Sequence, residues 1–216
     1  MAKTSKTSSR SANTKSASTS KKSSTSKKST TKKSSQNGRS NAKASEAKSG
    51  REELMKLFEH GLRDILWVEK TLTKSIPKMI KKATSETLVD ALEEHLEVTE
   101  DQVTKVERVF EAIDKSPRAK KCSGMVGILT EGEELMKEFE DSPALDAAII
   151  MASQKVEHYE MSSYMGLINL ADTLNLPKES ALLQEILQQE MEADQTLTKI
   201  AANNVHQVAI SDNTEA

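Results

Sequence analysis

The sequence predicts an all-α fold in which four long helices pack as a bundle behind a disordered arm. After residue 51, the strong helix formers Ala, Leu, Glu, Lys, Gln and Met dominate, glycine is sparse, and proline occurs only at positions 77, 117, 143 and 177. Four long segments repeat their apolar residues with a 3.6-residue period. The alternating β-branched runs that are typical of strands do not occur.

The first 50 residues form a basic arm that has no hydrophobic core. They hold 13 of the 31 Lys and Arg residues but only one of the 33 acids, so the arm carries +12 and the rest of the chain −14. They also contain 23 Ser and Thr, and their only apolar side chains are Met1 and six alanines. Since such a stretch cannot offset its chain entropy by burial, we expect disorder over 1–50, a bundle over 51–206 and a flexible tail over 207–216.

The helical segments can be bounded from their periodicity. Their approximate bounds are Glu52–Lys82, Ser85–Ile113, Pro143–Leu174 and Pro177–Asn203, with a shorter amphipathic stretch over Met125–Phe139. Pro77 is expected to bend or locally break the end of the first segment. Ser142 is a candidate N-cap for the third segment, with Pro143 at its first helical position.

The connections between these segments predict how the helices pair. Short turns join the first segment to the second and the third to the fourth, so each pair should be antiparallel neighbours. The link between the pairs is about 30 residues long, which is enough to cross the length of a bundle. Two antiparallel hairpins joined by one long crossover form the ferritin-like arrangement.

Acidic residues interrupt the apolar stripes of the first and last segments. Glu69 lies within the stripe that continues through Leu72, and Glu190 and Asp194 lie within the stripe of the last segment. These three acids should therefore face the core, where an unpaired carboxylate costs several kcal/mol.

Comparison of the third segment with the first, together with the helical period, places two further acids and a histidine at a similar depth in the bundle. With an offset of 91 residues, five core positions of the third segment coincide with those of the first, and Glu160 falls on Glu69. Glu157 lies one turn before Glu160, and His95 lies on the core side of the second segment. A cation held by four carboxylates and an imidazole would remove the cost of burying them. A metal-free bundle with these residues at its boundary remains the alternative.

The body of the chain also resembles a known family. The strings that carry the resemblance are Asp64-Ile-Leu-Trp-Val-Glu69, His95-Leu-Glu-Val-Thr99, Lys120-Lys-Cys-Ser-Gly-Met125 and Gln154-Lys-Val-Glu-His-Tyr-Glu160. From about Leu54 to Asn204 the chain resembles the YciE/YciF family of ferritin-like stress proteins. The resemblance implies a ferritin-like bundle, a homodimer and a dinuclear iron or manganese site.

The ligand set departs from the usual pattern of ferritin-like metal proteins. These proteins carry Glu-x-x-His on the second and fourth helices. Here the second helix reads Thr99-Glu-Asp-Gln102 and the fourth reads Glu190-Met-Glu-Ala193. One metal ion, weak binding or a non-redox site are therefore alternatives. The candidate ligands, ranked in order, are Glu69, Glu160, Glu190, His95, Glu157 and Asp194.

The arm is a candidate for binding DNA. It lacks aromatic residues that could stack on bases, so only contacts to phosphate, independent of sequence, remain. The paired cations are Lys21, Lys22, Lys27, Lys28, Lys32 and Lys33. A solubilising linker, or an arm that docks on acidic bodies of neighbouring subunits, is the alternative. Nucleic acid would associate the protein with the nucleoid.

Several functional classes are excluded or disfavoured. No run of 18 apolar residues exists, so a transmembrane helix is excluded, and the start of the chain lacks the apolar core of a secretory signal. Cys122 is the only cysteine, which excludes an intrachain disulfide. We expect a cytoplasmic stress protein that holds iron or manganese, with a non-enzymatic DNA-associated or structural helical dimer as the alternative. The near-continuous apolarity of the third segment supports a dimer interface.

Overall fold

The structure is a computed structural model that describes the backbone of residues 36–205 and 210, and the side chains in that range except those of residues 36–47, 203 and 204. Its helices are α1 (Gln36–Lys82), α2 (Glu86–Ala112), α3 (Ser123–Glu138), α4 (Leu145–Thr173) and α5 (Pro177–Ile200), and a π-helix (Ala201–Val205) follows α5. No strand occurs in the described residues. The predicted all-α fold, with four long helices and a short helix in the crossover, is confirmed.

Helix α1 begins earlier than the periodicity predicts. The arm up to residue 35, including its paired lysines, lies outside the described residues, as does the predicted tail except for Ile210. Residues 36–50 belong to α1, although they were expected to be part of the arm. They include three alanines and two lysines, and extending an existing helix avoids the cost of nucleating a new one.

Proline does not break the first long helix and does not begin the third. Helix α1 continues through Pro77, because the buried Ile76 and Met79 on either side hold this turn against the core. Helix α4 begins at Leu145 with Ala144 as its N-cap, so Pro143 precedes the helix. The N–H of Leu145 donates to the carbonyl of Ser142 at 3.0 Å, which closes a turn there and delays the helix.

The apolar stripes form one core along the bundle. Helix α4 packs against α3 and α5, and α2 packs against α5. Helices α1 and α4 approach closely at Gly61, where an added Cβ would lie 2.9 Å from Cδ2 of Leu167. The largest fully buried apolar side chains include Phe58, Leu62, Ile65, Leu88, Phe110, Ile149 and Leu174. Each such side chain contributes about 1.5–3 kcal/mol by leaving water.

The turns after α2 and α4 end both helices in the same way. Asp114 and Asn175 both have φ of 56°, the left-handed conformation that ends many helices. At Asn175 the N–H of Leu176 donates to the carbonyl of Ala171, and the N–H of Asn175 donates to that of Asp172. This Schellman motif satisfies the last carbonyls of α4, so that α5 can start at Pro177 and run antiparallel.

Asp146, at the start of α4, fixes the turn between α1 and α2. Its buried carboxylate accepts hydrogen bonds from the N–H of Thr84 at 2.9 Å, the hydroxyl of Thr84 at 2.7 Å and the N–H of Ser85 at 2.8 Å. The two amides precede α2, and their donation to a carboxylate favours this helix start. The two helical hairpins are thereby locked at one end of the bundle.

Candidate metal centre

Four helices carry ionisable residues into the middle of the core. Glu69 of α1 follows the buried Ile65 and precedes the buried Leu72, so its side chain continues the inward-facing stripe. Glu157 and Glu160 are adjacent on α4 because residues three apart share a helix face. Glu190 of α5 lies between the buried Ile186 and Leu197 on the same face. The four carboxyl side chains are almost completely buried.

Two overlapping groups of ligand atoms result from this arrangement. In the first group, carboxylate oxygens of Glu69, Glu160 and Glu190 lie within 4.8 Å of one another. In the second, a ring nitrogen of His95 and oxygens of Glu157 and Glu190 meet the same limit. Glu190 belongs to both groups. The structure therefore brings together five of the six residues that the sequence predicted.

Asp194 is the predicted residue that neither group contains. Its carboxylate accepts a hydrogen bond from Nε2 of Gln154 at 3.1 Å and lies 3.3 Å from Nε2 of the exposed His158. These partners on α4 hold Asp194 at the edge of the bundle. His158 accordingly lies at the helix surface.

Most oxygens of the cluster lack a hydrogen-bond partner. Buried carboxylate oxygens without a partner are Oε2 of Glu69, Oε2 of Glu157, Oε1 of Glu160, and both Oε1 and Oε2 of Glu190. The contacts of the cluster include a hydrogen bond from the hydroxyl of Tyr164 to Oε1 of Glu69, and a separation of 3.3 Å between Nε2 of His95 and Oε1 of Glu157. Ionised carboxylates in this state are strongly destabilising.

The surroundings shift the pKa of every carboxyl group in the cluster upward. Burial raises the pKa of Glu69, Glu160 and Glu190 well above the usual value of 4.5, and neighbouring glutamates raise it further. Burial also raises the pKa of Glu157 to about 8. Burial lowers the pKa of His95 to about 4, so its imidazole is neutral at neutral pH and has a lone pair for a ligand.

Tyr164, Thr99 and Gln102 complete the wall of the cluster. Tyr164 lies four residues after Glu160 and is fully buried, and its hydroxyl holds the carboxylate of Glu69. Thr99 and Gln102 occupy the Glu-x-x-His positions of α2 and are also buried. The hydroxyl of Thr99 donates to the carbonyl of His95 at 2.8 Å. Sequence spacing alone does not reveal this role of Tyr164, because a spacing of four residues from Glu160 does not specify a hydrogen bond to another helix.

The residues present fit a divalent cation. Unpaired, buried carboxylate oxygens are the observation that decides this, because a cation supplies the charge and the bonds that they lack. Three ligand atoms in each group leave room for further ligands, as in open metal sites.

Comparison with known proteins agrees with this architecture. Residues 53–210 match the family described as "Domain of unknown function (DUF892)". The chain belongs to this family. It is 38% identical over 154 residues to Protein YciF of Escherichia coli strain K12, an alignment that covers 71% of this chain and 93% of YciF. The resemblance that the sequence motifs indicated is therefore confirmed.

Solved structures of similar proteins share the fold. The crystal structure of the E. coli stress protein YciF matches with a TM-score of 0.68 and 37% identity, over 71% of this chain and 97% of that one. YcfI from Rhodopseudomonas palustris matches with a TM-score of 0.65 and 35% identity, over 67% of this chain and 92% of that one. Among the described residues, no helix has the length and apolar character needed to cross a membrane.

The raised pKa values predict how the stability of the metal-free protein depends on pH. Glu157 titrates near 4.5 when unfolded and near 8 when folded, so the folded state holds an extra proton between these values. The contribution of Glu157 to the free energy of unfolding is therefore complete below pH 4.5 and is lost as the pH rises through 8. The lowered pKa of His95 acts in the opposite direction, between about pH 4 and 6.5. Stability should therefore fall between pH 6.5 and 8.

Urea unfolding in the presence of a chelator, followed by circular dichroism, measures this dependence. The midpoint should decrease over that interval, and Glu157→Gln should flatten the decrease. Glu97→Gln, at an exposed site on α2, is the control and should leave the slope unchanged. A midpoint that is constant or rises between pH 6.5 and 8 would contradict the assignment.

Proposed function

We propose that this protein is a metal-binding stress-response member of the YciF family, with two divalent cations bound inside the bundle. One ion would be held by Glu69, Glu160 and Glu190, and the other by His95, Glu157 and Glu190. The observation that carries the proposal is that five buried carboxylate oxygens have no hydrogen-bond partner. They belong to residues of the two groups of converging ligand atoms. The stress-response role rests on the similarity to YciF, which is described as a stress protein.

The chemistry of the donors supports iron or manganese. Carboxylate oxygens suit manganese, and a neutral imidazole suits iron, so a mixed set can accept either ion in its divalent state. When bound, such an ion supplies Lewis-acid or redox chemistry. The chain's own contribution is to exclude water with its apolar stripes and to hold Glu69 through the hydroxyl of Tyr164. A buried partner of this kind orients a ligand and tunes its affinity.

Titration of the metal-free protein with Mn²⁺, followed by calorimetry, tests the proposal. We expect about two ions per chain at saturation. Glu190→Gln should weaken both binding steps by about tenfold or more, because both groups share this ligand. Glu69→Gln should weaken one step, and His95→Ala the other.

A matched control separates ligand loss from a general effect on α5. Glu179 is also a buried glutamate of α5 but belongs to neither group, so Glu179→Gln should bind Mn²⁺ as the unmodified protein does. Elemental analysis that finds no stoichiometric metal after saturation and dialysis would contradict the proposal. Equal losses for Glu190→Gln and Glu179→Gln would also contradict it.

We also propose that the protein is a homodimer in which α4 contributes the interface. Met151 and Met165 of α4 are 53% and 50% exposed, and they lie on the same side of the helix. Along that side the residues between them are Lys155, His158 and the small Ser162, and the last of these lets another helix approach closely. A second copy that covered this surface would remove two large apolar side chains from water.

A second candidate function, supported by charge, is non-specific binding of DNA by the arm. The supporting observation is that the first 50 residues carry a net charge of +12, whereas the rest of the chain carries −14. It would associate a cytoplasmic protein with the nucleoid. If about eight cations contact phosphate, log K should fall with log salt at a slope of about −7.

Charge-neutralised and charge-conserving variants of the arm test this second candidate. Replacing the six paired lysines by Gln should weaken binding to a random-sequence duplex and reduce the salt slope by about 5. Replacing the same six by Arg should preserve both. The six positions are Lys21, Lys22, Lys27, Lys28, Lys32 and Lys33. Equal affinity of the Gln variant and the unmodified protein would eliminate this role for the arm.

A further inference from the structure

A cavity of about 270 Å³ lies among α1, α2, α4 and α5 beside the proposed cation site. Most of its wall is apolar, and Leu72, Leu92, Val98, Val156 and Leu197 contribute to it. His95 and Glu157 also line it, so the cavity adjoins the second ligand group. Glu69 and Glu160 are not among the lining residues. The cavity is therefore a space distinct from the first group.

The volume of the cavity exceeds what an ion or a few waters need. A buried water needs about 10–15 Å³ of such space, and an apolar cavity of about 150 Å³ binds benzene. The cavity here is nearly twice that size. A compact organic molecule with one ring fits this volume, and the apolar wall would bury most of its surface.

The charges around the cavity select against anions. The ionised side chains that line it are the exposed carboxylates of Glu94 and Glu192, and no Lys or Arg is among the lining residues that the structure describes. Glu94 and Glu192 are exposed, which puts them at the mouth. An anionic ligand would pass these carboxylates against like-charge repulsion. An ammonium group would lose its hydration in a largely apolar space.

The polar groups of the wall can nevertheless bind one hydrogen-bonding group. Nε2 of His95 lies 3.3 Å from Oε1 of Glu157, so donor and acceptor atoms are close together at one place in the wall. Apolar pockets with a few converging polar groups are typical of sites for small molecules. We propose that the cavity binds a small neutral organic molecule, with its apolar body against the aliphatic wall and a hydroxyl or carbonyl group at His95 and Glu157.

This inference goes beyond the proposed function, because the ligand is an organic molecule. His95 and Glu157 belong to both the cavity and the second ligand group, so binding of the molecule is measured on the metal-free protein. Benzyl alcohol, benzoate and benzylamine have the same ring with a neutral, negative or positive group, so they isolate the effect of ligand charge. Titration of the metal-free full-length protein, followed by NMR, should give saturable binding of benzyl alcohol. Benzoate and benzylamine should each bind about tenfold more weakly or not at all.

Variants that fill the cavity locate the binding. Ala193 of α5 and Val98 of α2 both line it, so Ala193→Phe and Val98→Phe should each weaken benzyl alcohol binding by about tenfold or more. Ala181→Phe adds the same ring at an exposed site of α5 and should leave the affinity unchanged. Thermal unfolding of each variant shows whether it is folded, and the two filling positions on different helices make the result independent of one misfolded variant.

Different results would disprove the proposed cavity ligand and the proposed cation site. The double variant Glu69→Gln with Glu160→Gln should lose Mn²⁺ from the first group but retain benzyl alcohol. A protein that binds benzyl alcohol but no Mn²⁺ would remove the proposed function and leave the cavity site intact. No saturable binding of benzyl alcohol, unchanged binding in both folded filling variants, or tighter binding of benzoate or benzylamine would overturn the inference.

Discussion

The burial of several carboxyl groups at one point in a helical bundle is the constraint on which the rest of the structure depends. Glu69, Glu157, Glu160 and Glu190 come from three helices and are withdrawn from water together. Ionised, they would repel one another without the screening that solvent provides. The bundle can tolerate them only as protonated acids or as ligands of a cation. The raised pKa values and the two converging groups of ligand atoms both result from burying these carboxyl groups together.

The surrounding architecture holds these groups in place. Apolar residues above and below the cluster close it along the bundle, and the Schellman turn at Asn175 keeps α4 and α5 in antiparallel contact. Asp146 joins the start of α4 to the turn before α2. Because these contacts lie away from the cluster, they can stabilise its geometry without filling it. A preorganised site of this kind binds its ion without first paying for the ordering of its ligands.

Much of the fold and the cluster follow from the sequence because they depend on periodicity. An acid that replaces an apolar residue on a regular stripe must face inward, so Glu69 and Glu190 could be placed from their helices alone. The offset of 91 residues extended this to Glu160. Asp194 shows the limit, since residues four apart on a helix are still rotated by about 40°. Its partners on α4, Gln154 and His158, lie far from it in the sequence and draw it to the edge.

Other features could not be predicted because they depend on contacts between elements. Helix α1 starts at Gln36 because it extends from a stable helix. Residues 36–50 have no apolar stripe, so periodicity could not predict this extension. The turn before α4 is held by hydrogen bonds to the carbonyl and the hydroxyl of Ser142. The cavity beside His95 is the difference between the volume that four helices enclose and the volume that their side chains fill. No periodic pattern in a single helix encodes that difference.

The number of protons released when Mn²⁺ binds at neutral pH is the most direct test of this account. Calorimetry in two buffers with different ionisation enthalpies measures it, because released protons are taken up by the buffer. If the buried carboxyls are protonated in the absence of metal, binding should release more than one proton per chain. Binding without proton release would show that these groups are already ionised and compensated in another way, and would contradict the central claim.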